Sequence, residues 1–176
     1  AGGSGSHQFE ISRDVYSDVA KASIKAFYFH RASTALDEKY AGVYARTAGH
    51  PDTQVGIHAS AASESRPEGT KISAPKGWYD AGDFGKYIVN SAITVTTMMS
   101  VFEHYPEKSG MISTNIPESG DETPDLLDEI KWNLDWMLTM QDPQDGGVYH
   151  KLTTKSFPGM IMPEEDTEPR WIVMKT

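Results

Sequence analysis

The sequence predicts a mainly α-helical domain with long loops gathered at the helix ends. Two observations carry this. Three segments repeat apolar residues every three or four positions, which is the period of one helix face. Between them lie long stretches rich in Gly, Pro, Ser and Thr, where periodicity fades.

The first seven residues, AGGSGSH, read as a linker or an expression scar, and the folded domain is expected to begin at residue 8. In the first helix Val15, Val19, Ala22, Ala26 and Phe29 share a face. Ser12 is its expected N-cap, with Asp14 in the first turn. From Arg31 to Lys76 the chain reads as a long loop region with a short strand or turn, and loops of that length are usually functional or disordered. The second helix places Ile88, Ala92, Val95, Met99 and Phe102 on one face, and Pro106 stops it. A loop then runs to Glu122. The third helix has the clearest start, Thr123 at the N-cap followed by Pro124, Asp125, Asp128 and Glu129. Leu126, Ile130, Leu134 and Met137 form its inner face, and DPQDGG ends it. Short extended pieces are expected from Val148 to Thr176. Three helices with this much loop, and the amphipathic end PRWIVMKT, suggest part of a larger domain.

Composition narrows the function. The chain has 176 residues, 38% hydrophobic and 23% charged, in the range of a soluble globular protein. A net charge of −9 argues against nucleic acid, because phosphate binding needs clustered Lys and Arg. No apolar run is long enough to cross a bilayer, so no membrane partner is expected. There are no cysteines, which removes disulfides, thiol nucleophiles and thiolate-ligated zinc.

The stretch GWYDAGDFGKY, Gly77 to Tyr87, holds the candidate chemistry. Asp80 and Asp83 are separated only by Ala81 and Gly82, small residues that let a ligand approach the backbone. Asp83 is expected just before the second helix, where free N–H groups and the helix dipole favour negative charge. Two carboxylates this close suit general-base work on one water, provided donors or water separate their charges. Trp78, Tyr79, Phe84 and Tyr87 offer flat faces on which sugar rings stack. The spacing alone favours a simpler reading: Asp83 as an N-cap and Asp80 in an Asx turn.

GWYDAGDFGKYIVNSAITVTTMM resembles the N-terminal signature of glycoside hydrolase family 9, the cellulase family of (α/α)6 barrels. ETPDLLDEIKWNLDWMLTMQDPQDGGVYHKLTT resembles a second family segment in the right order. The resemblance implies that residues 8–176 are the N-terminal portion of an (α/α)6 barrel. It implies inverting hydrolysis of β-1,4-glucosidic bonds in cellulose or related β-glucans. Asp83 resembles the catalytic base, and Asp80 the aspartate that helps hold the water. His150 resembles a sugar-binding histidine, while Trp78 and Tyr79 either line the cleft or pack the loop. The family's acid is a glutamate far toward its C-terminus, and none of Glu118, Glu122, Glu164, Glu165 or Glu168 matches it. The remainder of the catalytic domain is therefore expected in a separate chain, as a partner.

Many family members hold a structural zinc through two cysteines and two histidines. Here the cysteine positions read Ala32 and Gly49, and only His50 and His58 remain, with Asp52 a speculative replacement. No zinc is expected there, since four ligands are the norm. No cofactor is required, and calcium is left to other parts of the full domain. A polymer-degrading enzyme is expected to be secreted, periplasmic or at the cell surface. Two alternatives stand beside the endoglucanase: an exo-acting enzyme of the same family, and a carbohydrate-binding module without catalysis.

Overall fold

The computed structural model describes residues 5–175, so Ala1–Ser4 of the expected linker and Thr176 lie outside the described residues. The helices are α1 (Ser17–Phe29), α2 (Glu38–Ala41), α3 (Ile88–His104), α4 (Pro106–Gly110) and α5 (Asp125–Thr139). The strands are β1 (Val55–Ile57), β2 (Lys71–Ile72), β3 (Lys86–Tyr87), β4 (Tyr149–Thr154) and β5 (Arg170–Lys175). They form one mixed sheet in the order β2-β1-β5-β4-β3, parallel only between β1 and β5. No helix among the described residues is long and apolar enough to cross a membrane.

The sheet corrects the mainly α expectation. β1 and β2 arise inside the expected long loop, and β5 is the amphipathic PRWIVMKT segment. These strands are two to six residues long, too short for alternation to stand out. What commits them is burial: Val55, Ile57, Leu152 and Ile172 pack with Trp136, Met140 and Tyr149 into one core beneath the sheet.

The three expected helices form, with shifted details. α1 starts at Ser17 rather than after Ser12, and no side chain caps it. Its expected apolar face points outward: Val15, Val19, Ala22 and Ala26 are exposed. Ile24 and Phe27 pack instead against Trp78, Leu126 and Ile130, while Tyr28 joins Leu36, Ala41 and Ile116. The larger side chains win the core because they bury more apolar area per position. In α3 the buried residues are Ser91, Val95 and Met98, and Met99, expected inside, is 43% exposed.

In α5, Leu126 and Ile130 are buried as expected, but Thr123 does not cap the helix, and Pro124 occupies the cap position. Further along, the deepest positions are Glu129, Asn133, Trp136 and Met140. The polar pair is matched. Glu129 accepts from Arg31 Nε at 3.1 Å, and Asn133 Oδ1 accepts from the Trp78 backbone N–H at 3.2 Å. α5 thus grips both the exit of α1 and the entry to the aspartate loop.

Candidate active site

Asp83 does not sit at a helix start. α3 begins at Ile88 with Tyr87 in the cap position, and β3 intervenes. This overturns both the dipole argument and the N-cap reading for Asp83. The aspartates occupy a closed loop instead. Asp80 N–H donates to the Gly85 carbonyl at 2.9 Å, and Phe84 N–H to the Ala81 carbonyl at 3.0 Å. Phe84 takes a left-handed φ of 53° to make the turn, and its ring packs with Ala32 and Tyr79.

The two carboxylates are held differently. Asp83 is half-buried. Tyr87 Oη donates to its Oδ2 at 2.6 Å and Gly85 N–H to its Oδ1 at 3.3 Å. Asp80 is exposed, and Asn90 Nδ2 on the first turn of α3 donates to its Oδ1 at 2.7 Å. Gly85 is required here: a β-carbon would come within 2.7 Å of the Tyr87 ring. Burial first, then the bond to Asp83, pushes the Tyr87 phenol up to about 12, so it stays a proton donor.

The sheet brings His150 to this site. β3 pairs antiparallel with β4, Tyr87 opposite Lys151. The Tyr87 ring therefore meets His150 edge-on, centroids 6.4 Å apart, with Lys151 Nζ 5.2 Å from the same ring. Tyr87 was visible in the motif only as a flanking aromatic. Asn90 and Lys151 gave no sequence signal, since each depends on where the helix start and the strand register fall.

Trp78 and Tyr79 are each 5% exposed. Trp78 Nε1 donates to Glu129 at 3.4 Å and its ring lies 4.7 Å from Phe27. Tyr79 packs with Phe84 and bonds His50. Both edge a crevice of about 80 Å³ beside Asp80, shared with His30, Tyr87 and Asn90. That space suits ordered water rather than a pyranose ring, so these two rings support the loop and leave little face for stacking. A wider groove, about 630 Å³, is lined by Gly82, Phe84, residues 158–162 and Glu165.

The residues at the family's zinc position do not fit the metal. Asp166 only accepts, so the proton of buried His50 sits on Nε2, 3.0 Å away, and Nδ1 accepts from Tyr79 Oη at 2.9 Å. Burial pushes this imidazole below its ordinary value, in keeping with the neutral form. His58 is exposed and its Nδ1 accepts from Ser60 N–H at 3.1 Å. Asp52 is paired with Lys86 and Arg170. At Gly49 a β-carbon would lie 2.6 Å from the Pro163 backbone, which leaves no room for a thiolate.

The loop closes on itself and carries two carboxylates, of which Asp80 is open to solvent and Asp83 is half-buried. Residues 16–176 match the family described as glycosyl hydrolase family 9. A xyloglucan-specific endo-beta-1,4-glucanase, BoGH9A, of Bacteroides ovatus is 52% identical over 168 residues, covering 96% of this chain and 29% of that protein. Endoglucanase D of Acetivibrio thermocellus is 36% identical over 167 residues, covering 94% and 26%. A solved Bacteroides ovatus GH9 structure superposes with a TM-score of 0.92 at 52% identity, over 94% of this chain and 30% of that one. The chain belongs to glycosyl hydrolase family 9, and it spans under a third of the length of these relatives.

Proposed function

We propose that this chain supplies the catalytic base, Asp83, and the water-holding Asp80 of an inverting endoglucanase that cleaves β-1,4-glucosidic bonds. The observation that carries this is the closed Asp80–Gly85 loop. Tyr87 donates to one oxygen of the Asp83 carboxylate and Gly85 to the other, and Asn90 donates to the exposed Asp80. In the proposed step, water attacks the anomeric carbon and gives its proton to Asp83. The glycosidic bond breaks, and an acid on the opposite face protonates the leaving oxygen, with the carboxyls about 6.5–9.5 Å apart.

Of the five glutamates considered above, Glu118 is committed to Arg31 and Glu165 to the Met162 N–H. Because none of the five stands in a sequence resembling the family's acid motif, the acid is proposed to come from polypeptide outside these 176 residues, in the same or another chain. There α1, α3 and α5 become part of an (α/α)6 barrel, which gives their exposed Val19, Val89, Ile93 and Leu138 something to pack against. Endo-action is favoured over exo-action because the relatives reported above are named as endoglucanases, and xyloglucan is the first substrate to try. A polymeric substrate supports the reading of a secreted, periplasmic or cell-surface enzyme.

Proton NMR of the nascent product tests the stereochemistry: the α-anomer is expected first, and initial β-anomer overturns inversion. Chromatography of early products from a long β-glucan is expected to give mixed oligosaccharides. A single disaccharide from the start would establish the exo-acting alternative. The zinc position is proposed to hold no metal, and one equivalent of zinc surviving dialysis against a chelator would contradict that.

A further inference from the structure

Beneath the aspartate loop lies a buried charged cluster that the proposed reaction does not use. Asp52 is 5% exposed and faces two cations. Its Oδ2 is 2.8 Å from Lys86 Nζ, and its Oδ1 is 3.0 Å from Arg170 Nε. Lys86 spends its other donors on the carbonyls of Ala74, at 2.9 Å, and Lys76, at 2.7 Å. Arg170 reaches further: its Nη1 donates to the Phe84 carbonyl at 2.7 Å.

That carbonyl belongs to the same peptide unit as the Gly85 N–H, the group that donates to Asp83 Oδ1. The peptide is planar, so fixing its oxygen fixes where its N–H points. Without a grip the unit has reason to turn, because Phe84 holds a left-handed φ that costs a bulky residue energy. Arg170 comes from β5, Asp52 from the loop before β1 and Lys86 from β3, so three separate segments meet in the cluster, and Arg170 links it to the peptide.

We propose that Arg170, its guanidinium held by Asp52, is a positioning residue for the Asp83 carboxylate. It acts through the Phe84–Gly85 peptide and touches no substrate. The proposal rests on the reading of Asp83 as the base.

The test compares Arg170→Met, Arg170→Lys, Asp52→Asn and Asp83→Asn in the form of the protein that hydrolyses β-1,4-glucan. Arg170→Met is expected to lower kcat by about 100-fold, the scale of a misplaced catalytic group, while KM changes by less than about threefold. Arg170→Lys is expected to restore part of kcat, because a single ammonium reaches the Phe84 carbonyl or Asp52 but not both in fork geometry. Asp52→Asn is expected to fall between them. Native kcat in a folded Arg170→Met, beside an inactive Asp83→Asn, overturns the positioning role and leaves the base assignment intact. An active Asp83→Asn removes both. If Arg170→Met does not fold, Arg170→Lys decides. Reduced kcat with native KM supports the proposal. Native kcat, or a second failure to fold, makes Arg170 merely structural and overturns it.

Discussion

Tyr87 donates its hydroxyl to Asp83 across 2.6 Å, from the position next to the first residue of α3. The bond occupies one carboxylate oxygen and sets the direction of the other. Replacing Tyr87 by Phe keeps the ring against His150 and removes only the donor. We expect kcat to fall about 10–100-fold with little change in KM, since a misaligned base weakens the transition state more than binding. Steady-state kinetics on a soluble β-glucan check this, and an unchanged kcat would remove Tyr87 from the site.

The same phenol makes an alkaline signature. Tyr79 and Tyr87 are both pushed up to about 12, burial being the first cause in each. A raised phenol contributes stability that is complete below its unfolded value of 10.0 and is lost as pH rises through about 12. Denaturation midpoints should therefore hold up to pH near 10 and fall beyond it. Tyr79→Phe should flatten that fall, and an equally steep decline in the variant would contradict the assignment.

Arg31 lies between Glu118 and Glu129, at 2.9 Å and 3.0 Å, with its guanidinium 4.5 Å from the Trp132 ring. Glu129 is fully buried, so Arg31→Met strands a carboxylate and should cost about 3–5 kcal/mol in urea unfolding. Burial pushes Glu129 up to about 7 even with Arg31 pulling the other way. In the variant that pull is gone. Its stability should be greatest at low pH and decline as pH rises, because a raised carboxyl stabilises only while protonated. A loss under 1 kcal/mol, or the opposite pH trend, would mean the pair is not what holds α1 to α5.

Asp128 gives a gain-of-stability test. One of its oxygens is buried without a partner, and burial followed by Asp121, Glu118 and Asp125 pushes its carboxyl up to about 6. Its favourable contribution is complete below 3.8 and is lost as pH rises through about 6. Asp128→Asn should therefore stabilise at pH 7–8 by on the order of 1 kcal/mol and make little difference near pH 4. Thermal melts across that range check it, and destabilisation at pH 8 would show that Asp128 has a needed partner.

The aspartate loop was legible in the sequence because its chemistry is local: DAGD needs only six residues to close. The three helices were legible from their period, yet α1 buries the stripe containing Ile24 and Phe27 rather than the regular Val15–Phe29 stripe. Periodicity finds a helix, but the partners available decide which stripe is inside. A short strand or turn was expected within 31–76 and extended pieces within 148–176, but not their joining into one sheet, because β2 and β3 are two residues each and gain their meaning from pairing with distant strands. The residues around Asp83 were hidden for the same reason. Arg170 is 87 positions from Asp83, and no spacing rule connects them. The sequence left Trp78 and Tyr79 open between lining the cleft and packing the loop, and only their burial decides for the loop.

The role of Asp83 is tested most directly by Asp83→Asn in a protein with the complete catalytic domain. Asparagine fits the same space, still accepts from Tyr87 through its amide oxygen and cannot take a proton from water. Hydrolysis of β-1,4-glucan is expected to fall by a factor on the order of 100 to 10,000, the usual range for a general base, while oligosaccharide affinity stays near native. Hydrolysis at the native rate by a folded Asp83→Asn would contradict it.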